Sequence, residues 1–186
     1  KYVIGGEPVL PKDFWWEYLA STPASLEESR VLDAYAVITG YDLEAVDFAN
    51  AYLQAEWPRD HCNAQEFYLH IPEELRKWLP EELQPDPECK FPLWPCQKAG
   101  YGHPASGHLW SRVLRDWLLA HGWKEVGRPG KGCMYAKGTL LACVYVDDVK
   151  ICGERQELDD FWKEVAAPGT GAFQYKDPPG PCTEFL

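Results

Sequence analysis

The sequence predicts an α+β fold, an antiparallel sheet with helices packed on one face. Three observations lead to it. Leu140-Leu141-Ala142-Cys143-Val144-Tyr145-Val146-Asp147-Asp148-Val149-Lys150-Ile151-Cys152 joins two β-rich apolar runs through adjacent aspartates, and so reads as a hairpin with both carboxylates at its tip. Leu109, Trp110, Val113, Leu114, Trp117 and Leu118 recur at helical spacing, with Gly122 just past the last turn. A strand ending at Asp47 precedes that helix, so the order is strand, helix, strand, strand, helix, strand, which suits an antiparallel sheet.

The elements follow in order. Ser25 and Glu28 stand at capping-box spacing, with Pro23 tolerated near a helix start. Val31, Leu32, Tyr35, Ala36 and Ile38 supply a buried stripe and Gly40 stops the helix after about four turns. A strand ending at Asp47 comes next, then the small residues Ala49-Asn50-Ala51 that open a turn into a helix. Glu66 to Ile71 alternates apolar and polar residues as a half-buried strand does. Leu79 to Pro95 holds five prolines and reads as a surface excursion, with an edge strand over Cys89 to Trp94. The aromatic stripe of the Leu109–Leu118 helix continues its aliphatic stripe, which marks it as core packing. Cys133 to Ala136, a Lys137-Gly138 turn, and Thr139 to Val146 lead to the aspartate tip. Gln156 to Val165 is a last amphipathic helix, and Phe173 to Lys176 a last short strand.

At 186 residues and 46% hydrophobic, the chain supports one ordinary core and is not a disordered polymer. No apolar run approaches the roughly 20 residues that span a bilayer, and no leader precedes Val3, so a soluble protein is expected, with no membrane partner. Seven cysteines, Cys62, Cys89, Cys96, Cys133, Cys143, Cys152 and Cys182, are scattered without a Cys-x-x-Cys pair, which suits reduced thiols in a cytoplasmic or nuclear setting. His61, Cys62, Cys89 and Cys96 have the residue types of a zinc site but not a standard spacing. The net charge of −11, from 29 acidic against 18 basic side chains, repels phosphate at long range. Any grip on nucleic acid must therefore be local or supplied by another chain segment.

The acidic residues carry the chemistry. Asp47 ends one strand and Asp147-Asp148 tip the hairpin, and carboxylates on adjacent strands can converge on one patch. Two such charges about 4 Å apart repel by roughly 4 kcal/mol at an effective dielectric near 20, a cost that a divalent cation removes. Magnesium suits an all-oxygen site and brings phosphate oxygens with it. Alternation along the strand turns Asp148 partly away from the face that carries Asp147.

Three segments together resemble a known family. Val46-Asp47-Phe48-Ala49-Asn50-Ala51-Tyr52-Leu53-Gln54-Ala55, Ala99-Gly100-Tyr101-Gly102-His103-Pro104-Ala105-Ser106-Gly107-His108-Leu109-Trp110 and Val144-Tyr145-Val146-Asp147-Asp148-Val149-Lys150-Ile151-Cys152-Gly153 are similar, in order and spacing, to core motifs of the reverse transcriptases of copia-type LTR retrotransposons. The closing Phe173-Gln174-Tyr175-Lys176-Asp177 through Thr183-Glu184-Phe185-Leu186 is similar to that family's primer-gripping segment. His103-Pro104-Ala105-Ser106-Gly107 departs from the usual Leu-Lys-Gln-Ala-Pro.

The resemblance implies a right-hand polymerase fold, with fingers over about 1–40 and 56–100 interleaved with palm over 41–55 and 101–186, and with the thumb absent. It implies an RNA-directed DNA polymerase in which Asp47, Asp147 and Asp148 are the catalytic and metal-binding carboxylates of a two-magnesium site that also accepts manganese. Asp148 is the supporting member of the three, and the Phe48 carbonyl completes one coordination shell. Tyr52 is the aromatic that faces the sugar, and Tyr101 and Gly102 lie beneath the incoming base. The partners implied are an RNA/DNA template-primer, deoxynucleotides, and the RNase H and integrase segments of a Pol polyprotein in a cytoplasmic virus-like particle. Lys1, Arg59, Arg76 and Lys77 are the candidates for gripping triphosphate.

Two other readings stay open. One is a catalytically inactive or domesticated palm-fold module acting through protein contacts, which the acidic balance favours. The other is a different metal-dependent nucleotidyl transferase or cyclase, which needs the carboxylates but not Tyr52 together with Tyr101 and Gly102.

Overall fold

The computed structural model describes residues 23–57, 68–127, 132–167, 173–183 and 185. Lys1, Arg59, His61 and Cys62 lie outside them, as does the start of the strand expected from Glu66. The chain is α+β, built on a six-stranded antiparallel sheet in the order 124–126, 134–137, 140–145, 148–153, 42–47 and 180–181. Its strands are β1 (Asp42–Asp47), β4 (Lys124–Val126), β5 (Met134–Lys137), β6 (Leu140–Tyr145), β7 (Asp148–Gly153) and β8 (Gly180–Pro181). A separate ribbon pairs β2 (Tyr68–Leu69) with β3 (Trp94–Pro95). Four helices of the described residues bear on the site: α1 (Leu26–Thr39), α2 (Ala51–Gln54), α4 (Ser106–Ala120) and α5 (Arg155–Ala166), with the single turn α3 (Glu73–Arg76) lying between β2 and β3.

Strand alternation divides the apolar residues between two faces. Val46 of β1, Leu140, Ala142 and Val144 of β6, and Val149 and Ile151 of β7 pack with Leu109, Trp110 and Leu114 of α4 and Leu158, Phe161 and Val165 of α5 in the main core. The opposite face is not open. Met134 of β5 and Cys143 of β6 pack there with Leu32 of α1 in a second, smaller cluster. The expectation of helices on one face is therefore corrected to helices on both.

The ends of α1 form as the sequence requires. The Glu28 amide donates to Ser25 Oγ at 3.3 Å, the Ser25 amide donates back to the Glu28 carboxylate at 2.7 Å, and Gly40 caps the other end in the left-handed region at φ 73°. Its buried stripe differs from the expected one. Leu32 is fully buried, but Val31 is 49% exposed and Ile38 82% exposed. The reason is polar. Lys150 of β7, itself buried, donates to Asp33 Oδ1 at 2.6 Å and to Ser29 Oγ at 3.1 Å, so the helix turns its Ser29–Asp33 side to the sheet. An ammonium taken out of water needs these partners, and its demand outweighs the burial of two aliphatic side chains.

Two strands escape the sequence reading. β4 is Lys-Glu-Val, exposed throughout, with no apolar alternation to mark it. β8 lies in the proline-rich end and is held by backbone pairing to Glu44 and Ala45. In the excursion after β2 the expected edge strand narrows to Trp94–Pro95, because Cys89 closes a turn on Asp86. Cys89, Cys96, Cys133, Cys143, Cys152 and Cys182 are not joined in disulfides. Burial pushes Cys143 up to about 12 and Cys152 up to about 11, which makes both inert packing groups. No helix among the described residues is long and apolar enough to cross a membrane.

Candidate active site

Register brings the acidic residues together. β1 and β7 pair antiparallel with Asp47 opposite Asp148, and directly opposed residues share a face, with Cβ atoms roughly 4.5–5.5 Å apart. Tyr145 pairs with Asp148 across the hairpin, so Val146 and Asp147 form a two-residue turn. The turn is tied down from both sides. The Phe48 amide donates to the Asp147 carbonyl at 2.8 Å, and the Trp110 indole of α4 donates to the Val146 carbonyl at 2.6 Å. Val146 itself sits at φ 56°, a region that β-branched residues rarely enter and that turns of the primed type demand. Such strain persists only where the surroundings hold it, and here the Trp110 and Phe48 bonds do so.

The register gives the two aspartates of the hairpin different places. Asp147 belongs to the turn, and it is Asp148 that stands across from Asp47. Burial raises the Asp148 carboxyl above its ordinary value of 3.8, and the charges of Asp147 and then Asp47 raise it further, while Lys176 pulls the other way. The three carboxylates thus feel one another. A raised carboxyl binds more protons folded than unfolded, so it subtracts stability as pH climbs above 3.8 and subtracts it fully once Asp148 is ionised. Asp148→Asn should therefore melt about 1–3 °C above the parent at pH 7, with the gap closing toward pH 4. Melting curves across that range check it; a gap that stays constant with pH would assign the gain to something other than ionisation.

The tyrosines border the same patch. Tyr52 of α2 and Tyr101 pack ring against ring, with centroids 4.7 Å apart. Burial raises both phenols; the next cause for each is the charge of Asp147, and for Tyr101 Asp47 adds to it. Tyr101 also lines an open cavity of about 590 Å³, whose apolar walls include Leu53, Leu69, Leu83 and Trp94. Gly102 follows at φ 98°, a conformation that favours glycine, and the turn is closed by the buried Ser106 hydroxyl donating to the Gly100 carbonyl at 2.6 Å. Phe48 offers no side-chain surface to the patch. It is 1% exposed, with its ring centroid 5.5 Å from Trp110 and 5.4 Å from Phe173.

Among the described residues, the structure brings together Asp47, Asp147, Asp148, Tyr52 and Tyr101. The basic candidates are elsewhere engaged: Arg76 Nε donates to the Ile71 carbonyl at 2.9 Å, and the Lys77 ammonium lies over the Trp78 ring. Two participants were missed in the sequence. Trp110 was legible only as a core residue, and Lys176 only as part of a closing strand. Lys176 Nζ lies 2.8 Å from Asp47 Oδ2.

The donor set is chemically suited to a hard divalent cation: three carboxylates, all oxygen, in a neighbourhood of mutual repulsion. As placed, the side chains are not a finished ligand cage, since no group of three His, Cys, Asp or Glu among the described residues stands ready to hold a metal. Asp47 instead pairs with the Lys176 ammonium.

No family model and no curated protein matches the sequence. Among solved structures, the chain is similar to the telomerase of Candida albicans in complex with a fragment of telomeric RNA, at a TM-score of 0.41 and 13% identity. That alignment covers 91% of this chain and 33% of the telomerase chain, so this chain spans about a third of its length.

Proposed function

We propose that this chain is the fingers-and-palm part of an RNA-directed DNA polymerase, a reverse transcriptase of the copia-type retrotransposon kind, that adds deoxynucleotides to a primer 3′-hydroxyl. The observation that carries this reading is the register of Asp47 against Asp148 with Asp147 in the adjoining strained turn. Residues 41–55 and 101–186 are the palm in this reading, and 1–40 and 56–100 the fingers. Two magnesium ions, when bound, lower the pKa of the primer hydroxyl and neutralise the triphosphate and the leaving pyrophosphate. Asp47 and Asp147 are the residues that hold them, and Asp148 supports the pair across the strand. Trp110 and Phe48 keep the turn, and with it Asp147, at a fixed height above the sheet. Tyr52 limits the space beside the sugar, and Tyr101, followed by Gly102 in the turn, borders a cavity in the size range of small-molecule sites. RNase H and integrase segments of the same polyprotein are the partners this reading implies, with an RNA/DNA template-primer as substrate.

Substrate choice gives a test residue by residue. If the Tyr52 ring excludes a ribose 2′-hydroxyl, Tyr52→Val in the full-length polypeptide should raise ribonucleotide incorporation about tenfold or more while deoxynucleotide use stays nearly unchanged. Single-nucleotide extension of a DNA primer on an RNA template reads both numbers. A variant that merely melts lower, with its sugar preference intact, makes Tyr52 a packing partner of Tyr101 and nothing more.

The second reading, a non-catalytic module acting through protein contacts, draws support from apolar side chains left in solvent, Val37 at 85% and Ile38 at 82% exposure on α1. Folded full-length protein without primer extension in magnesium or manganese would favour it.

A further inference from the structure

Lys176 is placed by a rigid base and ends in a free arm. Its amide donates to the Asp47 carbonyl at 2.9 Å, and the residues before it are pinned by the Phe48–Tyr175 bridge, by the Gln174 amide donating to Gln54 Oε1 at 2.9 Å, and by the Tyr175 hydroxyl donating to the Trp162 carbonyl at 3.2 Å. The side chain beyond is 66% exposed, yet its ammonium turns inward to Asp47 Oδ2 at 2.8 Å. Asp177, next in the chain, and Asp148, directly across from Asp47, add to the negative potential around it.

From this geometry we infer that Lys176 is the exchangeable counter-ion of the carboxylate patch: its ammonium holds Asp47 Oδ2 until a divalent cation takes that oxygen and expels it. The inference rests on the metal-site reading above and assigns Lys176 a role within it. An exposed lysine–carboxylate pair is weak, so a cation carrying two charges displaces it readily. Lysine suits the exchange better than arginine, because a single ammonium binds one oxygen while a guanidinium fork would grip both. The arm stays tethered by its backbone, so Asp47 keeps a positive partner in either state and the strands do not have to part.

The test is a manganese titration, reading the free-ion paramagnetic signal and, separately, the melting temperature. Lys176→Met should tighten manganese binding by about threefold to fivefold. In chelator it should melt lower than the parent, and at saturating manganese the difference should shrink or reverse. Lys137→Met is the control for long-range charge, since Lys137 pairs with Glu164 at the opposite end of β5, away from the patch. Equal tightening by the two variants would reduce the effect to net charge and overturn the inference. Unchanged affinity in Lys176→Met, with binding still lost in Asp47→Asn, would overturn it too while leaving the metal site standing. If the parent binds manganese no better than Asp47→Asn does, the metal site fails and the counter-ion role with it. In an Asp47→Asn background the Lys176→Met change should have no further effect, as expected when two residues act on one site.

Discussion

Asp147→Ala and Asp47→Ala should each lower primer extension by the full-length polypeptide by about a thousandfold or more, in either magnesium or manganese. In the proposed reaction each removes an oxygen that would act on charge developing in the transition state, so ribonucleotide and deoxynucleotide use should fall together and kcat should fall with kcat/KM. Neither change should unfold the protein: Asp147 sits in a turn whose carbonyl, not its side chain, accepts from the Phe48 amide, and Asp47 is half-buried at a strand end. Circular dichroism alongside extension kinetics separates the two effects. Retention of even a tenth of the parent rate in Asp147→Ala would sink the proposed role of that carboxylate.

The largest effect on stability is expected at Trp110. Its side chain is completely buried among Phe48, Phe173 and the rest of the main core, and its indole is the donor that holds the strained Val146 carbonyl. Trp110→Ala should cost about 3–5 kcal/mol, a fall in melting temperature of the order of 10 °C. Trp110→Phe is the more informative change. It keeps an aromatic ring in the core but removes the donor, leaving a carbonyl of the turn unpaired at a cost of about 1–3 kcal/mol. Extension activity should drop in Trp110→Phe beyond what its melting curve explains, because the turn that presents Asp147 has lost its fixed point. Activity that simply tracks the folded fraction would reduce Trp110 to a core residue.

The parts of the chain that could be read from sequence are those where side chains decide the structure. The β6–β7 hairpin announced itself through its apolar runs and two aspartates, α4 through its 3.6-residue period, and the α1 ends through Ser25, Glu28 and Gly40. Where backbone pairing or a buried charge decides, the pattern misled or was silent. β8 exists because the Cys182 amide and its neighbours find the free edge of β1, and nothing in Pro-Pro-Gly-Pro signals a strand. The rotation of α1 follows from Lys150, which a reading by apolar periodicity treats as one more strand position. At the site, the aspartates were legible because their residue type and place at strand ends have few explanations. Their register was not, since Asp47 and Asp148 are opposed only by the long-range pairing of β1 with β7. Lys176 was hidden for the same reason: its contact with Asp47 joins residues 129 apart in the sequence.

That long-range pairing also sets an order of events during synthesis. Both neighbours of β1 in the sheet, β7 and β8, come later in the chain, and the nearer of them begins only at Asp148. A ribosome adding roughly 5–20 residues per second needs of the order of 5–20 s to cover the intervening stretch of about 100 residues. Throughout that interval Leu43, Ala45 and Val46 belong to a strand with no edge to join, and the loop to be closed is among the longest the fold contains. The acidic patch thus waits for β7, with only β8 still to come, and a nascent chain halted before β7 has an orphan strand where the finished protein has its opposed aspartates.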